Sequence, residues 1–208
     1  MRSDEGGREQ RTPIASLELL LDARLEGRVR AEWQALSAAG LSSLGAHTSP
    51  SNRPHITLLV RDAAAALPAA ERLAPFVEPL LPLPIELSGL VLFGSGHRRV
   101  LARGVVATES LLRLHRDVHA LAAEGRDSDR PHTRPGEWTP HLTLARRLRV
   151  DTATEALRAL DEVPATDEAT PFAGEIIGLR HWNAATSTVT DLSAPFPEGG
   201  IPPAGPRR

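Results

Sequence analysis

Two segments of this 208-residue chain share one pattern: Pro54-His55-Ile56-Thr57-Leu58 and Pro140-His141-Leu142-Thr143-Leu144, each with an Arg six residues after its His, Arg61 and Arg147. With residue frequencies like those of this chain, one such match arises by chance roughly once in several hundred chains and two about once in a million. The pair constrains the fold because each segment reads as a strand with one apolar face. Side chains alternate in extended backbone, so His55 and Thr57 share a face, as do His141 and Thr143, while Ile56, Leu58, Leu142 and Leu144 point to the buried side. Each strand therefore presents a titratable ring beside a hydroxyl. The same alternation puts Arg61 and Arg147 on the His face and Arg146 on the opposite one. Six residues at about 3.3 Å each set the two outer guanidiniums roughly 20 Å from the His, so they reach flanking phosphates or form solvated strand ends, not the same phosphate.

The rest of the chain supplies the neighbours of these strands. Ile14 to Leu21 is aliphatic with one Glu, a buried strand. Ala23 to Ala39 repeats Leu25, Val29, Trp33 and Leu36 at helical spacing and stops at Gly40. Leu41 to Pro54 is a loop, and Ala63 to Leu81, interrupted by Pro68, Pro75 and Pro79, holds a short or kinked helix. Ile85 to Phe93 and Arg99 to Ala107 form a hairpin, and Thr108 caps a helix running to Ala123. A polar loop, Glu124 to Pro140, leads to a strand from His141 to Val150 and a helix from Thr152 to Leu160. Phe172 to Trp182 and Ser187 to Leu192 close the order as a strand pair. Helices mixed with hairpins predict an α+β fold with largely antiparallel sheet. One unit over residues 13–193 is expected, with residues 1–12 and 194–208 as mobile tails.

Composition narrows the chemistry. The chain has no Cys, Tyr or Lys, and all 24 basic residues are Arg. That excludes disulfides, thiolate nucleophiles, cysteinyl metal sites, a phosphate-loop lysine and a Schiff base. Compositional drift accounts for the Arg bias as well as phosphate binding does, and a formal net charge of -2 argues against a general nucleic-acid coat. Neither a targeting signal nor a membrane-length run is present, so a cytoplasmic monomer with no membrane partner is expected. Chemistry falls to His, Asp, Glu, Ser, Thr and Arg.

Two imidazoles and two hydroxyls meeting across a cleft can hold a phosphate, with one ring taking a proton from the attacking oxygen and the other giving one to the leaving oxygen. The paired segments His55/Thr57 and His141/Thr143 resemble the signature of the 2H phosphoesterase superfamily, in the branch of 2'-5' RNA ligases and RNA 2',3'-cyclic phosphodiesterases. Pro140 to Arg146 is especially similar, whereas Leu59-Val60-Arg61 departs from the Phe-Leu-Gly often found after the first motif of that branch. The resemblance implies two pseudo-symmetric lobes with helices outside, flanking a central cleft with one motif in each, and catalysis without a metal or other cofactor. It also implies hydrolysis of 2',3'-cyclic phosphate ends of RNA or oligonucleotides to 2'-phosphates, with weak 2'-5' joining. A small cyclic nucleotide as substrate, or binding of an RNA end without turnover, are the rival readings. His55 and His141 are the candidate catalytic residues, His141 as base and His55 as acid or the two roles exchanged, with Thr57 and Thr143 binding the phosphate.

Trp138, just ahead of the second motif, either stacks a base of the substrate or packs at the rim, and Arg146, which matches the family pattern, is the other candidate substrate-binding residue. Trp33 belongs to a helical inner face, and His181 with Trp182 to the end of a strand. His115 and His119, four apart on a helix, lack a third ligand at a recognisable spacing for a metal. His47, His97 and His132 lie in loops. The acid run from Asp161 to Glu168 is a solvated connection.

Overall fold

A computed structural model of the protein describes residues 12–164 and 172–193. The two expected tails, apart from Thr12, and the end of the acid run fall outside the described residues. The described elements are β1 (Ile14–Leu21), α1 (Ala23–Ala38), β2 (His55–Asp62), α2 (Ala70–Val77), β3 (Leu83–Phe93), β4 (Arg98–Val105), α3 (Glu109–Leu121), β5 (His141–Arg149), α4 (Ala153–Asp161), β6 (Ala173–Asn183) and β7 (Thr188–Asp191). Local signals set their ends. Asp22 accepts the Leu25 amide at 2.8 Å to start α1, Thr108 accepts that of Leu111 at 3.3 Å to start α3, and Gly40 takes a φ of 71° just past α1. The proline-rich stretch yields the short α2, with Pro75 inside it.

The strands make one antiparallel sheet in the order β1-β2-β5-β4-β3-β6-β7, and β6 also pairs back onto β1. Two trios result, β2-β1-β6 and β5-β4-β3. They meet where Ile56 faces Leu142, and again where Leu83 to Glu86 run along Ala173 to Ile176. The fold is α+β, as expected, and the two lobes are the halves of this sheet.

Their registers repeat. Leu20, Leu19, Glu18 and Leu17 face His55, Ile56, Thr57 and Leu59, and Gly104, Arg103, Ala102 and Leu101 face His141, Leu142, Thr143 and Ala145. Each motif strand thus carries one extra residue at the third position after its His, Leu58 in β2 and Leu144 in β5. Such a bulge bends the strand and reverses the alternation beyond it. Leu58 and Leu59 are consequently both buried, as are Leu144 and Ala145.

Strict alternation therefore misplaces the arginines. Arg61 turns inward and is 0% exposed, its Nε donating to Asp129 at 2.8 Å and its Nη atoms to the carbonyls of Ala66, Glu124 and Ala122. It is neither a solvated strand end nor a phosphate ligand. Counted through its bulge, Arg146 returns to the face of His141 and Thr143 and is exposed. Arg147 adopts a φ of 61° at a second irregularity of β5 and points to solvent.

The helices pack crosswise. On α1, Leu25, Val29, Trp33 and Leu36 are buried, and Trp33 Nε1 donates to the carbonyl of Thr143 at 2.9 Å. On α3, the buried His115 and His119 donate through Nε2 to the carbonyl of Leu58 at 3.1 and 3.2 Å. Each half's long helix thus supports the other half's motif strand. Buried ion pairs lie on the same side of the sheet: Arg61 with Asp129, and Glu32 between Arg103 at 2.6 Å and Arg28 at 3.3 Å.

Candidate active site

The Ile56 to Leu142 bridge sets the geometry. Counted outward along that antiparallel pair, His55 runs toward Thr143 and Thr57 toward His141, and all four side chains share the face opposite the core. All four are half-buried. Neither threonine hydroxyl has a hydrogen-bond partner among the described residues.

The rings are held alike. His55 Nδ1 donates to the carbonyl of Arg53 and His141 Nδ1 to that of Thr139, each at 2.7 Å. A carbonyl only accepts, so in both rings the proton sits on Nδ1 and Nε2 is the nitrogen left to exchange a proton in the cleft. Anchoring by the carbonyl two residues upstream is a consequence of the Pro-His segment turning into the strand, and it occurs in both motifs.

Their surroundings differ. His55 Nε2 stands 3.5 Å from Glu18 Oε1. Glu18 is buried, accepts from Ser16 Oγ at 2.7 Å and from Arg180 Nε at 2.8 Å, and Arg180 Nη2 lies 3.5 Å from His55 Nδ1. Burial opposes the charge on Glu18, but the charges of His55 and Arg180 and the hydrogen bonds from Ser16 and Arg180 outweigh it, so the carboxyl is held below its ordinary value. His141 instead packs against Phe93, ring centroids 4.6 Å apart and planes at 46°. Burial, reinforced by the charges of His132 and His55, holds it below the ordinary histidine value, with the Thr139 carbonyl opposing. The charge of His55 is thus felt at His141. Gly104 lies opposite His141, and a Cβ there would come within 2.4 Å of Ser88 Oγ.

Of the remaining sequence candidates, Trp138 goes behind the first motif. Its Nε1 donates to the carbonyl of Thr57 at 2.9 Å, and one face of the ring stacks on His115 with centroids 4.0 Å apart. The indole is engaged as packing and as a donor to the bulge. His115 and His119 are likewise committed: His115 Nε2 also donates to Thr133 at 2.9 Å, and burial together with the charge of His119 lowers its pKa to about 4. Among the described residues no group of three His, Cys, Asp or Glu side chains is arranged to hold a metal. Arg146 has no side-chain partner among the described residues, and its carbonyl accepts from Ser42 Oγ.

Glu18, Arg180 and Phe93 were not legible as site residues. For Glu18 a signal was present, a lone carboxylate in the otherwise apolar Ile14 to Leu21 apart from Ser16. Arg180 and Phe93 are placed by register alone.

No curated protein sequence matches the chain. The solved structures similar to it in outline include two of Usb1 from Kluyveromyces marxianus. The one with uridine monophosphate is 14% identical at a TM-score of 0.45, covering 87% of this chain and 98% of that one. The other is 15% identical at 0.46, covering 86% and 97%. Residues 25–188 match the family described as the 2'-5' RNA ligase superfamily, a span that contains both His-x-Thr motifs, both bulges and β2 through β6. The chain belongs to that superfamily of 2H phosphoesterases.

Proposed function

We propose that the protein is a phosphodiesterase that opens 2',3'-cyclic phosphate ends of RNA or oligonucleotides to 2'-phosphates, with weak 2'-5' joining when a 5'-hydroxyl replaces water. Residues 13–193 are the proposed catalytic unit. The observation that carries the reading is the duplicated arrangement of an imidazole with Nδ1 tied to a backbone carbonyl and Nε2 making no hydrogen bond among the described residues, next to an uncommitted threonine hydroxyl.

In this scheme Thr57 and Thr143 donate to the non-bridging oxygens of the cyclic phosphate, where charge grows as the attacking oxygen adds. His141, held toward its neutral form, takes the proton of the attacking water through Nε2. The phosphorus to O3' bond breaks, and His55 gives its Nε2 proton to the departing O3'. The Glu18 carboxylate stands 3.5 Å from that nitrogen, on the side of the ring that the transferred proton leaves. A 5'-hydroxyl entering as water does gives a 2'-5' linkage by the same two transfers. The proton bookkeeping closes without a metal ion or cofactor.

The test is a panel of 2',3'-cyclic mononucleotides, dinucleotides and longer RNAs incubated with the protein in EDTA. Turnover to 2'-phosphates is the expected result. Activity lost in EDTA and restored by a divalent ion would replace the scheme with metal-assisted hydrolysis. Turnover confined to mononucleotides would make the substrate a small metabolite, and binding without turnover would leave an RNA-end binder.

A further inference from the structure

On the α3 side of β2, away from the face carrying His55 and Thr57, lies a cavity of about 490 Å³. Its wall includes Arg116 and His119 of α3, and Arg126, Asp127, Asp129 and Arg134 of the loop that follows. The charges of this wall do not cancel. Asp129 is matched by the buried Arg61, whose Nε donates to it at 2.8 Å, which leaves Asp127 as the uncommitted carboxylate facing three guanidiniums. Arg116 and Arg126 are exposed, with no side-chain partner among the described residues. Arg134 donates through Nη2 to the Asp129 carbonyl at 2.8 Å, yet its Nε is buried with no acceptor. A buried donor without an acceptor destabilises the protein unless something supplies one.

We propose that this cavity is a second phosphate-binding site, separate from the cleft of the two motifs, and that it takes the phosphate group of a nucleotide. Guanidinium groups match phosphate because their fixed fork of donors meets its oxygens in pairs, and the charge of a phosphate suits three arginines better than that of one carboxylate does. The volume exceeds what a bare anion needs and admits the attached nucleoside. The phosphate has two possible sources, a free nucleotide or an internal phosphate of a longer RNA whose end is in the cleft; the second source alone rests on the proposed function.

The experiment is calorimetric titration of pyrophosphate, adenosine 5'-monophosphate and a dodecamer RNA with a 3'-hydroxyl end. These bind or fail to bind whatever becomes of the proposed reaction. The background is Thr57→Val/Thr143→Val, which weakens the cleft, with and without Arg116→Gln/Arg126→Gln at the two exposed positions. Saturable binding of the small phosphates in the background, weakened at least tenfold by the arginine changes at an unchanged thermal midpoint, is the expected result. A matching loss for the dodecamer identifies the internal RNA phosphate, and a loss confined to the small ligands identifies the free nucleotide. With the threonines intact, Arg116→Gln/Arg126→Gln should turn over a cyclic-phosphate dinucleotide as the natural protein does. Absence of saturable binding in the background, affinity indifferent to the arginines, or impaired dinucleotide turnover overturns the proposal.

Discussion

In the first half of the sheet His55 looks onto an ion pair, Glu18 with Arg180. In the second half the equivalent positions hold Ala102 and Val91, and His141 packs on Phe93 instead. The backbones around the two rings otherwise agree: the same register, the same extra residue three positions after the His, the same Nδ1 to carbonyl anchor, and an indole donating to the threonine carbonyl from behind. A protonated His55 has a carboxylate at hand, whereas a protonated His141 has an aromatic ring and a half-buried setting that disfavours the charge. Duplication thus supplies two like proton carriers, and a few side chains outside the motif give them unlike tasks.

The largest effects should fall on both halves equally. His55→Ala and His141→Ala are each expected to lower kcat by roughly a hundredfold or more, the scale for loss of a general acid or base, with circular dichroism unchanged. Normal turnover by both variants would make the pair structural. Next come Thr57→Val and Thr143→Val, which remove a donor to the phosphate but no titrating group. Each is expected to lower the rate about ten- to a thousandfold while the pH profile keeps its shape. A profile that changes shape in either variant would show that the hydroxyls take part in the proton transfers.

The asymmetry is broken by Glu18→Gln, expected to lower the rate about tenfold near neutrality. The rate of the natural protein should rise with pH as the base loses its proton and fall as the acid loses its own. Because His141 is held below the ordinary histidine value, the rising limb should be centred below pH ~6.5. Glu18→Gln removes the carboxylate 3.5 Å from His55 Nε2 but leaves the surroundings of His141 unchanged, so the rate should fall while the rising limb stays in place. A shift of the rising limb instead would exchange the roles of the two histidines. Stability follows its own sign: the Glu18 carboxyl, depressed in the folded protein, contributes above pH ~4.5 and loses that contribution as pH falls through its lowered value.

How much of this was legible in the sequence depended on whether a feature was local. The strand and helix order could be read because periodicity and caps are local, and Ile14–Leu21 has the bounds its composition predicts. The four motif side chains could be read because their pattern occurs twice. Arg61 and Arg146 were misplaced because one added residue reverses a period of two, and the sign of that residue was present as the apolar doublets Leu58-Leu59 and Leu144-Ala145. The Glu18 to Arg180 pair spans 162 residues of sequence, and only the β1 to β6 register brings it together. The service of Trp33 to the second motif is equally non-local, since its helical spacing shows only that it is buried.

The smallest expected effects test whether the crosswise support is real. Trp33→Phe and Trp138→Phe each keep an aromatic ring and remove the N–H that reaches a threonine carbonyl beside a bulge. A carbonyl left unpaired there should cost about 1–3 kcal/mol of stability, read from urea unfolding, and the rate should fall by no more than about tenfold because no reacting group is touched. Trp138→Phe also disturbs the stack on His115, so the first motif should be the more affected of the two. The distinguishing measurement is where each change is felt. Trp33, on the helix of the first half, should shift the nuclear magnetic resonance signals of His141 and Thr143, and Trp138, from the loop before the second motif, those of His55 and Thr57. If Trp33→Phe instead perturbed His55, the bulge of each motif would be held by its own half, and the exchange of helices between the halves would have no part in keeping the two rings in place.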